Sequence, residues 1–176
     1  MAAGIIDEPR LRGLYDSWRR KRGARAFPSS LDPDLYNLPF RVWPTIGLID
    51  VVRERDAMEF RYGRIVMHPF VAMACDSTGE FLDNALLDRD SYRDYVIGIY
   101  RQTADLRSPI YTVNIVTLEG QAPMLTKRVC LPLSSDGTDV DKALVARVFV
   151  YEPEWFTYIR PLADGFAETE RVVLHS

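Results

Sequence analysis

The sequence predicts an α+β domain: about five antiparallel strands, helices between the second and third, and one more helix in front that packs on the sheet. Three observations carry this. Two stretches, residues 7–22 and 89–104, repeat apolar residues at helical spacing. Five runs, 45–52, 58–65, 110–118, 124–133 and 143–151, are rich in β-branched and aromatic residues. The chain has 176 residues, 47% of them hydrophobic and 27% charged. That is enough to bury one core without disulfide or metal staples, and it excludes a disordered or collagen-like chain.

The first helix spans 7–22. Leu11, Leu14, Tyr15 and Trp18 fall at i, i+3, i+4 and i+7 and make one apolar face. Asp7 and Glu8 suit its start, and Pro9 is tolerated in the first turn. Arg19, Arg20, Lys21 and Arg22 fill the last turn, and Gly23 supplies a left-handed stop. Residues 24–44 hold Pro28, Pro33, Pro39 and Pro44 and read as a linker, with one short helical turn at Asp32-Pro33. Strands 45–52 and 58–65 flank a charged turn at 54–56 and suit an antiparallel hairpin. Phe60 and Tyr62 share one face of the second strand, Glu59 and Arg61 the other.

Residues 66–75 turn helical, with Pro69 near the start, and 76–82 turn around Gly79. In the helix over 89–104, Asp88 or Asp90 is the cap, and Tyr92, Tyr95, Val96, Ile99 and Tyr100 form the apolar stripe. Of the last three strands, the second and third are joined by the turn Ser134-Ser135-Asp136-Gly137. In 110–118, Tyr111, Val113 and Ile115 share a face, yet Ile110, Val116 and Leu118 leave the other partly apolar. A sheet of this kind is covered on both faces, here by the inner helices and the first helix. Residues 152–176 carry Trp155, Phe156, Tyr158, Ile159 and Phe166 and are expected to dock on the domain or a partner. The chain thus divides into a helix and proline-rich linker (1–44), a domain (45–151) and an aromatic tail (152–176).

The 25 acidic and 22 basic residues leave a net charge of −3, which does not suit a general nucleic-acid binder. The charge is uneven: residues 10–25 carry +6, and the rest −9. The basic end of the first helix has two readings, a contact for anionic lipid or nucleic acid, or cations that complement the helix C-terminus in solvent. The acidic remainder favours the second. Cys75 and Cys130 lie far apart in apolar runs and read as reduced, buried thiols. Residues 1–10 hold no apolar signal core, and no run approaches the ~18 apolar residues that span a bilayer. A cytoplasmic protein without a transmembrane segment is expected.

Several short motifs occur in order. They are Leu14, Trp18, Arg22-Gly23, Pro28 and Asp32-Pro33; then Leu48-Ile49-Asp50-Val51 and Phe60-Arg61-Tyr62; then Asp76-Ser77-Thr78-Gly79, Ser108-Pro109 and the run from Pro132 through Leu133, Ser134, Ser135 and Asp136 to Gly137. Together, over residues 11–151, they resemble a bacterial family of stand-alone PAS-like domains. Two positions depart from that family's pattern: Ser77 stands where a leucine is usual, and Val66 where a glycine often ends the second strand. The resemblance implies a PAS fold, a five-stranded sheet cupped around a small interior site that senses a small molecule or mediates protein contacts. It carries over no catalytic residue.

Enzyme signatures are absent: there is no G-x-S-x-G, H-E-x-x-H, G-x-x-x-x-G-K or G-x-G-x-x-G. Two histidines, His68 and His175, cannot build a histidine-rich metal site. His68 reads as a structural histidine rather than a haem ligand, since the helix over 89–104, where haem-binding PAS domains usually place theirs, has no histidine. Cys75 lacks the N-C-R motif of flavin-binding light sensors. Asp136, Asp139 and Asp141 fail as a calcium loop, because Asp141 and Arg147 occupy positions six and twelve. No metal site is expected, and the cofactor is unknown.

The candidate pocket comprises Phe60, Tyr62, Phe70, Met73, Tyr95, Ile99, Tyr111, Val113, Val129 and Leu131. These are core residues first; some can line a site whose ligand partners the tyrosine hydroxyls. The candidate interaction surface is the helix face Leu11, Leu14, Tyr15 and Trp18. The expected function is a small-molecule sensory or regulatory domain without catalysis, signalling through a protein partner or homodimer. A ligand-free adaptor is the alternative. An enzyme using Asp50 or Glu59 as base comes third.

Overall fold

The computed structural model describes residues 5–32, 45–54, 57–66, 78–85, 90–116, 124–150 and 166–174. The elements run α1 (Pro9–Arg22), β1 (Thr45–Glu54), β2 (Ala57–Val66), α2 (Leu82–Ala85), α3 (Asp90–Asp105), β3 (Ile110–Val116), β4 (Met124–Leu133), β5 (Lys142–Val150) and β6 (Phe166–Val173). All strands join one sheet in the order β2-β1-β5-β4-β3-β6, each neighbouring pair antiparallel.

The expected five-stranded, PAS-like sheet is therefore corrected to a six-stranded one. The sixth strand comes from the segment read as an aromatic tail. It pairs along the whole of β3, from Ile110↔Val173 to Val116↔Phe166. Without it, β3 would present a row of unpaired backbone donors and acceptors at the edge. Glu168, Thr169 and Glu170 hide the strand in the sequence, because they give no apolar alternation. Trp155, Phe156, Tyr158 and Ile159 lie outside the described residues, as do most of the helix expected over 66–75 and the prolines Pro33, Pro39 and Pro44.

Helix α1 begins at Glu8, whose carboxylate accepts the Arg10 amide at 3.2 Å, and Pro9 occupies the first turn where no backbone donor is needed. It ends at Gly23, which takes φ +56° and donates its amide to the Arg19 carbonyl at 3.3 Å. Its face of Leu11, Leu14, Tyr15 and Trp18 is buried against one side of the sheet. There it meets Ile46 of β1, Val129 and Leu131 of β4, Leu144 and Ala146 of β5, and Leu174 just past β6. The Trp18 indole N–H donates to the Pro132 carbonyl at 2.8 Å. Pro132 is tolerated in β4 because β3 stops short of it, its last pair being Ile110↔Cys130.

Helix α3 covers the opposite side. Val96, Ile99 and Tyr100 pack on Ile49 and Val51 of β1, Phe60 of β2, and Ala143 and Val145 of β5. Phe27 of the segment after α1 joins this second cluster, and that segment also docks on the end of β4 through the Ser29↔Ser134 bridge.

Candidate functional site

Side chains alternate across a strand, so β3 and β4 divide their residues between the two covered faces. Tyr111, Val129 and Leu131 belong to the α1 side, with Val113 packed against them. Phe60, Tyr95 and Ile99 belong to the α3 side, with Tyr62 packed against them. The sheet thus splits the ten pocket candidates: four lie on each side, and Phe70 and Met73 fall outside the described residues. The four residues of the expected interaction helix are buried in the chain's own core, which leaves α1 no free apolar stripe.

Beside Ile110 and Cys130, the residues of β3 and β4 on the α3 side include four polar ones. Thr112, Asn114, Thr126 and Arg128 are all buried, Arg128 at 2% exposure. The register aligns them in two cross-strand rows. Arg147 of β5 sits opposite Arg128, Arg128 opposite Thr112, and Thr112 opposite Arg171 of β6. In the next row Phe149, Thr126, Asn114 and Glu168 follow. Tyr92 and Tyr95 of α3 stand over these rows, within 6.0 and 5.9 Å of the Arg128 guanidinium.

The three arginines differ in their counterions. Arg171 forms a two-pronged ion pair with Glu168 at 2.7 and 3.1 Å and also donates to Gln102 at 3.0 Å. Arg128 and Arg147 both donate to one neutral atom, the Tyr92 hydroxyl oxygen, at 2.8 and 3.2 Å. Among the described residues no carboxylate pairs with either of them. Their donor nitrogens lie within about 6 Å of each other, and like charges at that distance repel by about 3 kcal/mol at an effective dielectric near 20. Burying a charge adds a desolvation cost of several kcal/mol per ion.

Further polar atoms in this layer are unused. Arg128 Nη1, both amide atoms of Asn114 and the Thr126 hydroxyl are buried without a hydrogen-bond partner among the described residues. Each such group costs about 1–3 kcal/mol if it stays unsatisfied. Groups of this sort are met in a folded protein by water, an ion or a ligand.

The tyrosines register the local field. Burial by itself raises the Tyr92 phenol, but Arg128 and Arg147 overcome that and bring it down to about 8. Tyr62, near the same arginines, is held above its ordinary value by burial. Burial pushes Tyr95 up to about 12. Cys130, next to Arg128 on the same face in the two-residue period, is a buried free thiol pushed by burial up to about 12, which makes it unreactive.

The remaining candidates are accounted for. Asp50 pairs with Arg61 at 3.1 Å and with Lys142, and Glu59 is exposed, so neither carboxylate lies in the arginine layer. Asp136 caps its own turn, accepting the Thr138 and Asp139 amides and the Ser134 hydroxyl. Among the described residues no group of three or more His, Cys, Asp or Glu side chains is placed to hold a metal. His68, Cys75 and His175 lie outside those residues. No described helix is long and apolar enough to cross a membrane. The basic end of α1 is partly engaged: Arg19 and Arg22 stack on Tyr15 and Trp18, and Lys21 pairs with Asp32 at 2.8 Å.

Sequence reasoning missed Arg128, Arg147, Asn114 and Thr126. The signal available was polar alternation inside strands expected to be covered on both faces: Thr112 and Asn114 in one strand, Thr126 and Arg128 in the next. No protein-family model, curated protein or solved structure matches this chain.

Proposed function

We propose that this protein is a cytoplasmic sensory or regulatory domain that binds a small molecule between α3 and the sheet, with no catalysis of its own. Its resemblance to the stand-alone PAS-like family implies such a role. One observation carries the reading: a buried polar layer, roofed by two tyrosines, in which Arg128, Asn114 and Thr126 hold donors and acceptors without partners among the described residues. A ligand that supplies those partners converts an unfavourable layer into a favourable one. The output passes to a protein partner or a second copy through a surface other than the buried face of α1.

Native mass spectrometry of the purified chain, beside a denatured control and an absorption spectrum, tests this. A non-covalent mass that leaves on denaturation supports the reading. A bare mass, with no change in melting temperature across a panel of small acids, amides and alcohols, overturns it in favour of a ligand-free adaptor.

A further inference from the structure

Resting on that reading, we infer that the ligand is a small organic carboxylate, its charged group held between Arg128 and Arg147. Two guanidinium groups on directly opposed positions of β4 and β5 converge on one neutral oxygen. The neighbouring arginine of the same row, Arg171, already has its carboxylate in Glu168. At the exposed end of the row a guanidinium takes a carboxylate as partner, and among the described residues Arg128 and Arg147 lack one. Arg128 adds a free Nη1, a planar donor suited to a carboxylate oxygen.

The surroundings select the rest of the molecule. Asn114 and Thr126 occupy the row next to Arg128 and offer an amide and a hydroxyl without partners, which fits a second polar substituent. Tyr92 and Phe149 flank the arginines with ring faces, the Phe149 ring 4.6 Å from the Arg147 guanidinium. Aromatic walls suit a carbon skeleton better than the shell of a fully hydrated phosphate.

Isothermal titration of the full chain at neutral pH tests the inference. The probes are acetate, butyrate, benzoate, 4-hydroxybenzoate and succinate, with benzamide as the neutral counterpart and inorganic phosphate as the competing anion. At least one carboxylate is expected to bind, with benzamide at least tenfold weaker than benzoate. Arg128→Met and Arg147→Met should each weaken carboxylate binding at least tenfold, and Arg147→Lys should recover part of the loss. Circular dichroism and melting of each variant separate lost binding from lost folding, and Asn114→Leu supplies a variant that leaves both arginines in place.

Four outcomes overturn the carboxylate assignment while some binding is seen. They are carboxylate affinity unchanged in both methionine variants, benzamide binding as well as benzoate, phosphate binding alone, and a neutral molecule retained in native mass spectrometry while no carboxylate binds. The last leaves the small-molecule reading standing. A bare chain that binds no probe overturns both.

Discussion

The two faces of one sheet make opposite use of the same strands. On the α1 side every second residue of β4 and β5 except Lys127 is apolar, the helix presses in an aromatic pair, and polar atoms at the margin find partners: Trp18 with the Pro132 carbonyl, Tyr111 and Lys127 with Asp7. The Tyr15 hydroxyl is the exception. On the α3 side the layer one residue out of phase holds two arginines that share a neutral phenol, with an amide and a hydroxyl left over. The first face is built for stability. The second gives up stability in one place, which is the usual mark of a site.

This contrast is open to attack, beginning with its strongest consequence. Trp18→Ala removes a fully buried indole, its stack on Tyr15 and its hydrogen bond, and should cost about 3–5 kcal/mol in urea denaturation; a loss under about 1 kcal/mol would break the picture of a tightly packed face. Arg128→Met should have the opposite sign, stabilising the ligand-free protein by about 1–4 kcal/mol, because an apolar chain replaces a buried charge without a counterion. A destabilised Arg128→Met would show that the arginine is structural. Tyr111→Phe keeps the ring and loses the bond to Asp7, so a loss of about 1 kcal/mol is expected in the same denaturation series.

The gentlest probe is optical. The Tyr92 phenol is lowered to about 8 in the folded chain, against about 10 when exposed. A lowered acid stabilises the fold only where it is ionised. Its contribution is full above pH 10, declines as the pH falls toward 8, and is gone below that. The difference in ultraviolet tyrosinate absorption between wild type and Tyr92→Phe should rise around pH 8, and in the Arg128→Met background should move toward 10. A difference that rises only near 10 in the wild type would place the arginine charges away from the phenol.

Legibility in the sequence followed the same division. The face of α1 was readable because four apolar residues at helical spacing need only one partner surface, and they found it within the chain. The hairpin of β1 and β2 was readable from its turn and alternation. Which covered side each face of β3 and β4 turns to was not. Tyr111, Val113, Val129 and Leu131 were read as core residues able to line a pocket, and they pack on the α1 side. Arg128 was not singled out, although a sheet covered on both faces makes it interior. β6 stayed hidden because Glu168, Thr169 and Glu170 leave its sequence without apolar alternation.

The placement of Leu174 also sets an order of events during synthesis. It sits in the same cluster as Ile6, and its amide closes on the Pro109 carbonyl at 2.8 Å. Ribosomes deliver residues at roughly 5–20 per second, so Ile6 emerges about ten seconds or more before Leu174. Through that interval α1 can gather β4 and β5 as they appear, while the β3 edge waits unpaired beside a partly assembled core. Until β6 emerges the sheet stays open along β3, a form that chaperones would engage and that β6 closes on arrival.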